Sequence, residues 1–113
     1  GNVKNMKWMF SYWNEDSQFN QPIGKWDVSQ VEDMTSMFSK ARSFNQPLAD
    51  WDVSQVKNMT GMFSMASSFN QNLSAWSVNP NVKICQMFAG DANSWELPKP
   101  AFAFCNPDEP VEN

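Results

Sequence analysis

The chain has no histidine, one tyrosine, two cysteines and four glycines in 113 residues. Without histidine there is no Ser-His-Asp or Cys-His nucleophile and no usual zinc ligand set. There is no run of about 18 apolar residues, the length a membrane-spanning helix needs. No signal peptide is visible. The chain opens at Gly1-Asn2-Val3, inside a repeat-like phrase, so it reads as a mature or trimmed piece of something longer. Eight Lys and Arg stand against twelve Asp and Glu, for a net charge of −4 and a pI near 4.5. The cations are scattered singly. Nucleic-acid binding needs them clustered to displace phosphate counterions, which argues against a nucleic-acid partner. No D-x-D-x-D-G phrase occurs, so an EF-type calcium loop is excluded. Nothing calls for a cofactor or a metal.

What is present is one 25-residue phrase written twice. Residues 26–50 read WDVSQVEDMTSMFSKARSFNQPLAD, and residues 51–75 read WDVSQVKNMTGMFSMASSFNQNLSA. The copies differ at eight positions: Glu32/Lys57, Asp33/Asn58, Ser36/Gly61, Lys40/Met65, Arg42/Ser67, Pro47/Asn72, Ala49/Ser74 and Asp50/Ala75. A fixed period of this length marks a stacked array. Residues 1–25 form a divergent first repeat. Val3, Met6 and Phe10 match Val31, Met34 and Phe38, and Phe19-Asn20-Gln21-Pro22 matches Phe44-Asn45-Gln46-Pro47. Three extra residues fall within Tyr12–Asp16. Residues 76–95 form a degenerate fourth repeat, in which Ile84, Met87 and Phe88 align with Met59, Met62 and Phe63.

Within a repeat, Val31, Met34, Phe38 and Ala41 fall at i, i+3, i+7 and i+10, as do Val56, Met59, Phe63 and Ala66. This spacing predicts a helix of about 11–13 residues. Ser29 with Glu32 supplies a capping box, and Asn79-Pro80 supplies a start in the fourth repeat. Trp51-Asp52-Val53 alternates as a short strand does. The expected architecture is an α/β solenoid of about four 25-residue coils, each with one short strand or extended segment plus one helix. Residues 96–113 form a Pro-rich tail. There Trp95, Leu97, Phe102 and Phe104 are expected to lie across the open end, with a Cys85–Cys105 disulfide stapling that cap.

The phrase FNQPLxxWDVSxVxxMxxMFxxAxxFNQ, spread over about residues 3–90, resembles the repeat of BspA-like leucine-rich-repeat surface proteins, abundant in mycoplasma surface lipoproteins. The resemblance implies that the solenoid is right-handed. It also implies placement outside the cell or on its surface, with the lumen of an oxidising compartment as the alternative, and roles in adhesion or protein binding. The family carries over no catalytic residues.

The residues open to a functional reading recur at the repeat spacing. Trp26, Trp51 and Trp76 could stack sugars but read better as core. Asn20, Asn45 and Asn70 could form a polar strip, yet a ladder satisfying turn backbone from repeat to repeat is the better reading. Phe38, Phe63 and Phe88, with Met6, Met9, Met34, Met37, Met59, Met62 and Met87, stand at core spacing. Asp27 and Asp52 could share a cation or a proton, but each capping its own turn or accepting backbone N–H bonds is the better reading. Trp13 and Met65 are candidates for a contact surface. Asn58 and Asn72 begin glycosylation sequons. The chain therefore reads as a non-enzymatic repeat domain of a secreted or cell-surface protein, contacting another protein or surface macromolecule. Its aromatic ends (Trp8, Phe10, Tyr12 and Trp13 at one, Phe102 and Phe104 at the other) allow two alternatives, an accessory structural subunit of a larger assembly and a glycan-binding module.

Overall fold

Left-handed residues within each repeat forbid the helix that the apolar spacing predicts. In the computed structural model, which describes residues 4–10, 19–80, 82, 84–103 and 105–108, Trp8, Ser36, Gly61 and Met87 have φ between 53° and 65°. Lys40, Met65 and Asp91 have φ between 58° and 61°. A left-handed residue ends a right-handed helix, and outside glycine it costs roughly 1–2 kcal/mol. Neighbouring contacts must hold each one in place.

Those contacts are backbone hydrogen bonds of two alternating kinds. Met34, Ser36, Phe38 and Lys40 donate their N–H groups to the carbonyls of Asn58, Thr60, Met62 and Ser64 in the next repeat, at 2.8–3.0 Å. Met59, Gly61, Phe63 and Met65 donate onward to Ile84, Gln86, Phe88 and Gly90. The residues between them close tight turns instead: Met37, Ser39 and Ala41 donate to Met34, Ser36 and Phe38, each three residues back. The N–H groups thus find partners with neither helix nor sheet.

The expectation of an α/β solenoid is therefore corrected. Among the described residues there is no helix, and the β-pairing consists of isolated parallel bridges, Asn5 to Asp33, Asp33 to Asn58 and Asn58 to Ile84. These bridges lie inside the stretch read as helical. The Trp51–Val53 segment read as a strand is unpaired. The chain is a compact globule of 34 × 33 × 26 Å with a radius of gyration of 12.7 Å. The physical reason is a coincidence of periods. Turns spanning 28–31, 34–37, 38–41 and 41–44 bury Val28, Val31, Met34, Met37, Phe38, Ala41 and Phe44 at their first and fourth positions. Successive turns give apolar residues at spacings of three and four, as one face of a helix does. The Ser29–Glu32 capping box does not cap: Ser29 Oγ donates to Asp27, and Glu32 N donates back to the Lys4 carbonyl.

Like side chains meet across repeats. Phe10, Phe38 and Phe63 form one stack, with centroids 5.4 and 5.2 Å apart. Phe19, Phe44 and Phe69 form a second, at 5.7 and 5.9 Å. Within each repeat the two stacks touch, Phe38 against Phe44 at 4.5 Å and Phe63 against Phe69 at 4.3 Å. At the C-terminal end the rings turn edge-on. Trp95 meets Phe69 at 84°, Phe88 meets Phe63 at 71° and Phe102 meets Phe88 at 67°.

The fourth repeat sits one residue away from its expected register. Ile84 bridges to Asn58, and the turn that closes Met59–Met62 recurs as Cys85–Phe88. Cys85, not Ile84, thus takes the buried place of Met59. Met87 takes the left-handed place of Gly61, and Ile84 is left exposed. The extra residue falls next to Asn79-Pro80, where the copies diverge most.

Phe63 is fully buried and contacts rings in three repeats. Its replacement by alanine is expected to cost about 3–5 kcal/mol, the usual range for a buried phenylalanine. Chemical denaturation of Phe63→Ala measures this; a loss under about 1 kcal/mol would contradict the double ring stack as the centre of the core.

Candidate functional site

The tryptophans occupy three different environments. Trp51 and Trp76 are buried, and each indole Nε1 donates to a carbonyl in the preceding repeat, to Ile23 at 3.0 Å and to Leu48 at 2.8 Å. Trp26 stands at the same place in the first repeat but is 43 % exposed. Its indole N–H has no acceptor among the described residues. Trp8 and Met9 beside it are 55 % and 46 % exposed, and Phe10 and Phe19 are half-buried. Together they make an apolar N-terminal face. Trp8 occupies the left-handed position that the later repeats fill with Ser36 and Gly61, a difference visible once the repeats are aligned. Trp13 lies outside the described residues, and Met65 is half-buried.

The asparagine column is a chain of side-chain caps. Asn20 Oδ1 accepts from Asn45 N at 2.8 Å and Gln46 Nε2 at 3.0 Å. Asn45 Oδ1 accepts from Asn70 N and Gln71 Nε2, both at 2.9 Å. Asn70 Oδ1 then takes the N–H groups of Glu96 and Leu97. Each amide oxygen is thus spent on the following repeat.

Asp27 and Asp52 each hold their own turn. Asp27 Oδ1 accepts from Ser29 Oγ at 2.6 Å and Ser29 N at 3.0 Å, and Asp52 does the same with Ser54. The serine hydroxyl first, and the backbone N–H second, hold both carboxyls below their ordinary value of 3.8. A shared proton would require one of the pair to be raised, so the geometry and the shifts both speak for turn capping. Asn58 is half-buried, its Oδ1 accepting from Thr60 N, whereas Asn72 is exposed in the same kind of turn with Ser74. Where Thr35 Oγ1 donates to the Asp33 carboxylate, Thr60 Oγ1 beside Asn58 is buried with no partner. The Asp33/Asn58 difference does not by itself account for this, since Asn72 Oδ1 accepts the Ser74 hydroxyl at 2.7 Å in the same kind of turn.

The described residues contain no group of three His, Cys, Asp or Glu side chains arranged to hold a metal. A groove of about 340 Å³ lies along Pro22, Gly24, Lys25, Gln46, Pro47, Ala49 and Asp50. Lys25 and Asp50 approach to 4.0 Å at its rim, fully in solvent, where such a pair contributes little. It is an open notch where two repeats meet, and sequence reading did not single it out.

The tail closes the C-terminal end. Cys85 and Cys105 form a disulfide, Phe102 packs on the core, and the carbonyls of Pro98 and Pro107 accept the N–H groups of Leu73 and Phe88. Trp95 is buried beneath Lys99, whose ammonium lies 5.2 Å from the ring centroid. Leu97, expected in the cap, is instead 43 % exposed, because its own N–H and that of Glu96 are tied to Asn70 at the surface. Phe104 lies outside the described residues.

A chain of turn-built repeats holding its own cap by a disulfide defines a repeat domain. It belongs to the family described as Mycoplasma protein of unknown function, DUF285, which matches residues 1–97. That family is related to BspA-like surface repeats, but membership among leucine-rich repeats is not shown. The chain has three leucines, Leu48, Leu73 and Leu97. No curated protein and no solved structure matches. No helix of the described residues is long and apolar enough to cross a membrane.

Two measurements check these assignments. Because the Asp27 and Asp52 carboxyls titrate lower in the folded chain than in the unfolded one, the stability they contribute is complete above about pH 4. It is lost as pH falls through the depressed values. Acid unfolding followed by intrinsic fluorescence should therefore be shallower in the double variant Asp27→Asn, Asp52→Asn. An unchanged acid limb would contradict the assignment. Removing the bridge with Cys85→Ser and Cys105→Ser should lower stability by about 3 kcal/mol on the chain-entropy estimate for a loop of this size. The residual structure should retain the buried indoles of Trp51 and Trp76.

Proposed function

We propose that this chain is a non-enzymatic binding domain of a secreted or cell-surface protein, contacting another protein or surface macromolecule through the sides of its stacked repeats. The observation that carries the reading is where the two near-identical repeats differ. Of their eight differences, only Ser36/Gly61 is buried in both copies. Glu32/Lys57, Asp33/Asn58, Lys40/Met65, Arg42/Ser67, Pro47/Asn72, Ala49/Ser74 and Asp50/Ala75 all lie at exposed or half-exposed positions, and several change charge. A constant interior with a varied surface is the arrangement of a scaffold whose output is contact. The disulfide fits an oxidising compartment, and the mycoplasma family description fits surface placement. The alternative of an accessory subunit draws on the N-terminal end alone, since Trp95 and Phe102 of the same chain cover the other end.

The test is retention of a surface-protein fraction on the immobilised full chain, compared with a Glu32→Lys, Arg42→Glu, Lys57→Glu variant. A partner should be held by the parent chain and released by at least tenfold weaker binding in the variant, about 1.4 kcal/mol, with thermal stability unchanged. Equal retention by both would sink the reading, as would a turnover activity abolished by replacing a single carboxylate.

A further inference from the structure

The tail is fastened to the repeats in two unequal halves. Up to Pro98 the fastening is a set of hydrogen bonds. Trp95 Nε1 donates to the Gln71 carbonyl at 2.8 Å, the Glu96 and Leu97 N–H groups donate to Asn70 Oδ1, and the Pro98 carbonyl accepts Leu73 N–H at 2.9 Å. Beyond Pro98 the bonds thin out. Lys99 Nζ reaches back to the Trp95 carbonyl at 3.3 Å. The Pro107 carbonyl receives Phe88 N–H at 3.3 Å, a donor that the Cys85 carbonyl already holds at 3.1 Å. Asp108 N–H stays within its own segment, on Asn106 Oδ1. Pro100 and Pro107 have no N–H to give. This second half is held otherwise by the burial of Pro100, by the Phe102 ring on Phe88 at 5.1 Å, and by the Cys85–Cys105 bridge.

The bridge joins two unlike places. Cys85 is wholly buried and opens the turn that Phe88 closes. Cys105 is half-buried in the tail. The chain has no third cysteine, so a broken bridge can re-form in one way only. Beneath this half of the tail lies Phe88, which is 1 % exposed. The fourth repeat itself is held from the other side, where the carbonyls of Ile84, Gln86, Phe88 and Gly90 accept four N–H groups of the third.

We infer that the Cys85–Cys105 bridge is a redox-sensitive latch on the C-terminal end. A dithiol reductant frees residues 99–108 from the fourth repeat and uncovers the apolar surface around Phe88, while the repeats beneath keep their fold. A reductant thiolate attacks the Cys105 sulfur, the more accessible of the two. A mixed disulfide forms, the Cys85–Cys105 bond breaks, and Cys85 leaves as a thiolate that takes up a proton, because its buried site disfavours the charge. The second thiol of the reductant then attacks the reductant's own sulfur in the mixed disulfide and releases Cys105. Two electrons and two protons have passed to the protein, and the dithiol has become a cyclic disulfide. Oxidation reverses the sequence and closes the end again. The device is separate from contact through the sides of the repeats and stands without it.

The experiment follows the full chain by NMR before and after dithiothreitol under native conditions, with thiol titration to confirm two free thiols. Backbone order parameters of Ala101, Phe102 and Ala103 should fall from about 0.8 to below about 0.6 on reduction. Fluorescence of an added anilinonaphthalene sulfonate dye should rise as Phe88 is uncovered. The Trp51 and Trp76 indoles should stay protected from hydrogen exchange, and reoxidation should restore the tail. The variant Cys105→Ser, which leaves the buried Cys85 in place, should show the open tail without any reductant. Tail order that is the same in the oxidised and fully reduced chains overturns the inference. So does free exchange of Trp51 and Trp76 on reduction, since the bridge would then hold the whole fold and not its end. A bridge that yields to dithiothreitol only in denaturant overturns it as well.

Discussion

The structure rests on the alternation of backbone N–H groups between the next repeat and the same turn. A backbone that closed every bond locally would form a helix, and one that closed every bond laterally would form a sheet. Here each residue with a laterally donated N–H is followed by one that closes a turn, and the left-handed conformations at Ser36 and Gly61, and at Lys40 and Met65, are the geometric cost of that alternation. Side chains inherit the consequence. The turns repeat from one copy to the next, so rings at Phe38 and Phe63, or Phe44 and Phe69, are held parallel at stacking distance with no further device.

The polar side chains serve the same arrangement. Asn20, Asn45 and Asn70 satisfy the N–H groups that fall between turns, and Asp27 and Asp52 brace the turn leading into the densest part of each repeat. In exposed positions single bonds of this kind contribute modestly. Their value lies in specifying which residue sits over which, because an asparagine displaced by one place would leave two donors unmet.

The repeats, their 25-residue phase, the three-residue insertion and the pairing of Cys85 with Cys105 were legible in the sequence, since they depend on identity and spacing. The buried sets around Phe38, Phe63 and Met34 were legible too. What failed was the conformation joining them. Val31, Met34, Phe38 and Ala41 satisfy a helical wheel and a run of tight turns equally, and the deciding feature is a positive φ at Ser36 and Lys40, residues with no marked preference for it. Only Gly61, where the second copy replaces Ser36, hinted at it. The fourth repeat was misplaced by one residue because Ile84 and Met87 are as apolar as the residues they were aligned with. The openness of Trp26 could not be read at all: its residue type matches Trp51, and exposure is set by what lies on top of it.

The unequal spacings between repeats carry one last consequence. Equivalent bridge positions are 28 residues apart from Asn5 to Asp33, 25 from Asp33 to Asn58 and 26 from Asn58 to Ile84. Copies as alike as residues 26–50 and 51–75 invite slippage, in which one substitutes for the other during folding or is exchanged with another molecule. The odd lengths at both ends act as keys. A chain that slipped by one copy would have to fit a 28-residue connection into a 25-residue gap, so the order of assembly is set by length where composition cannot distinguish the parts.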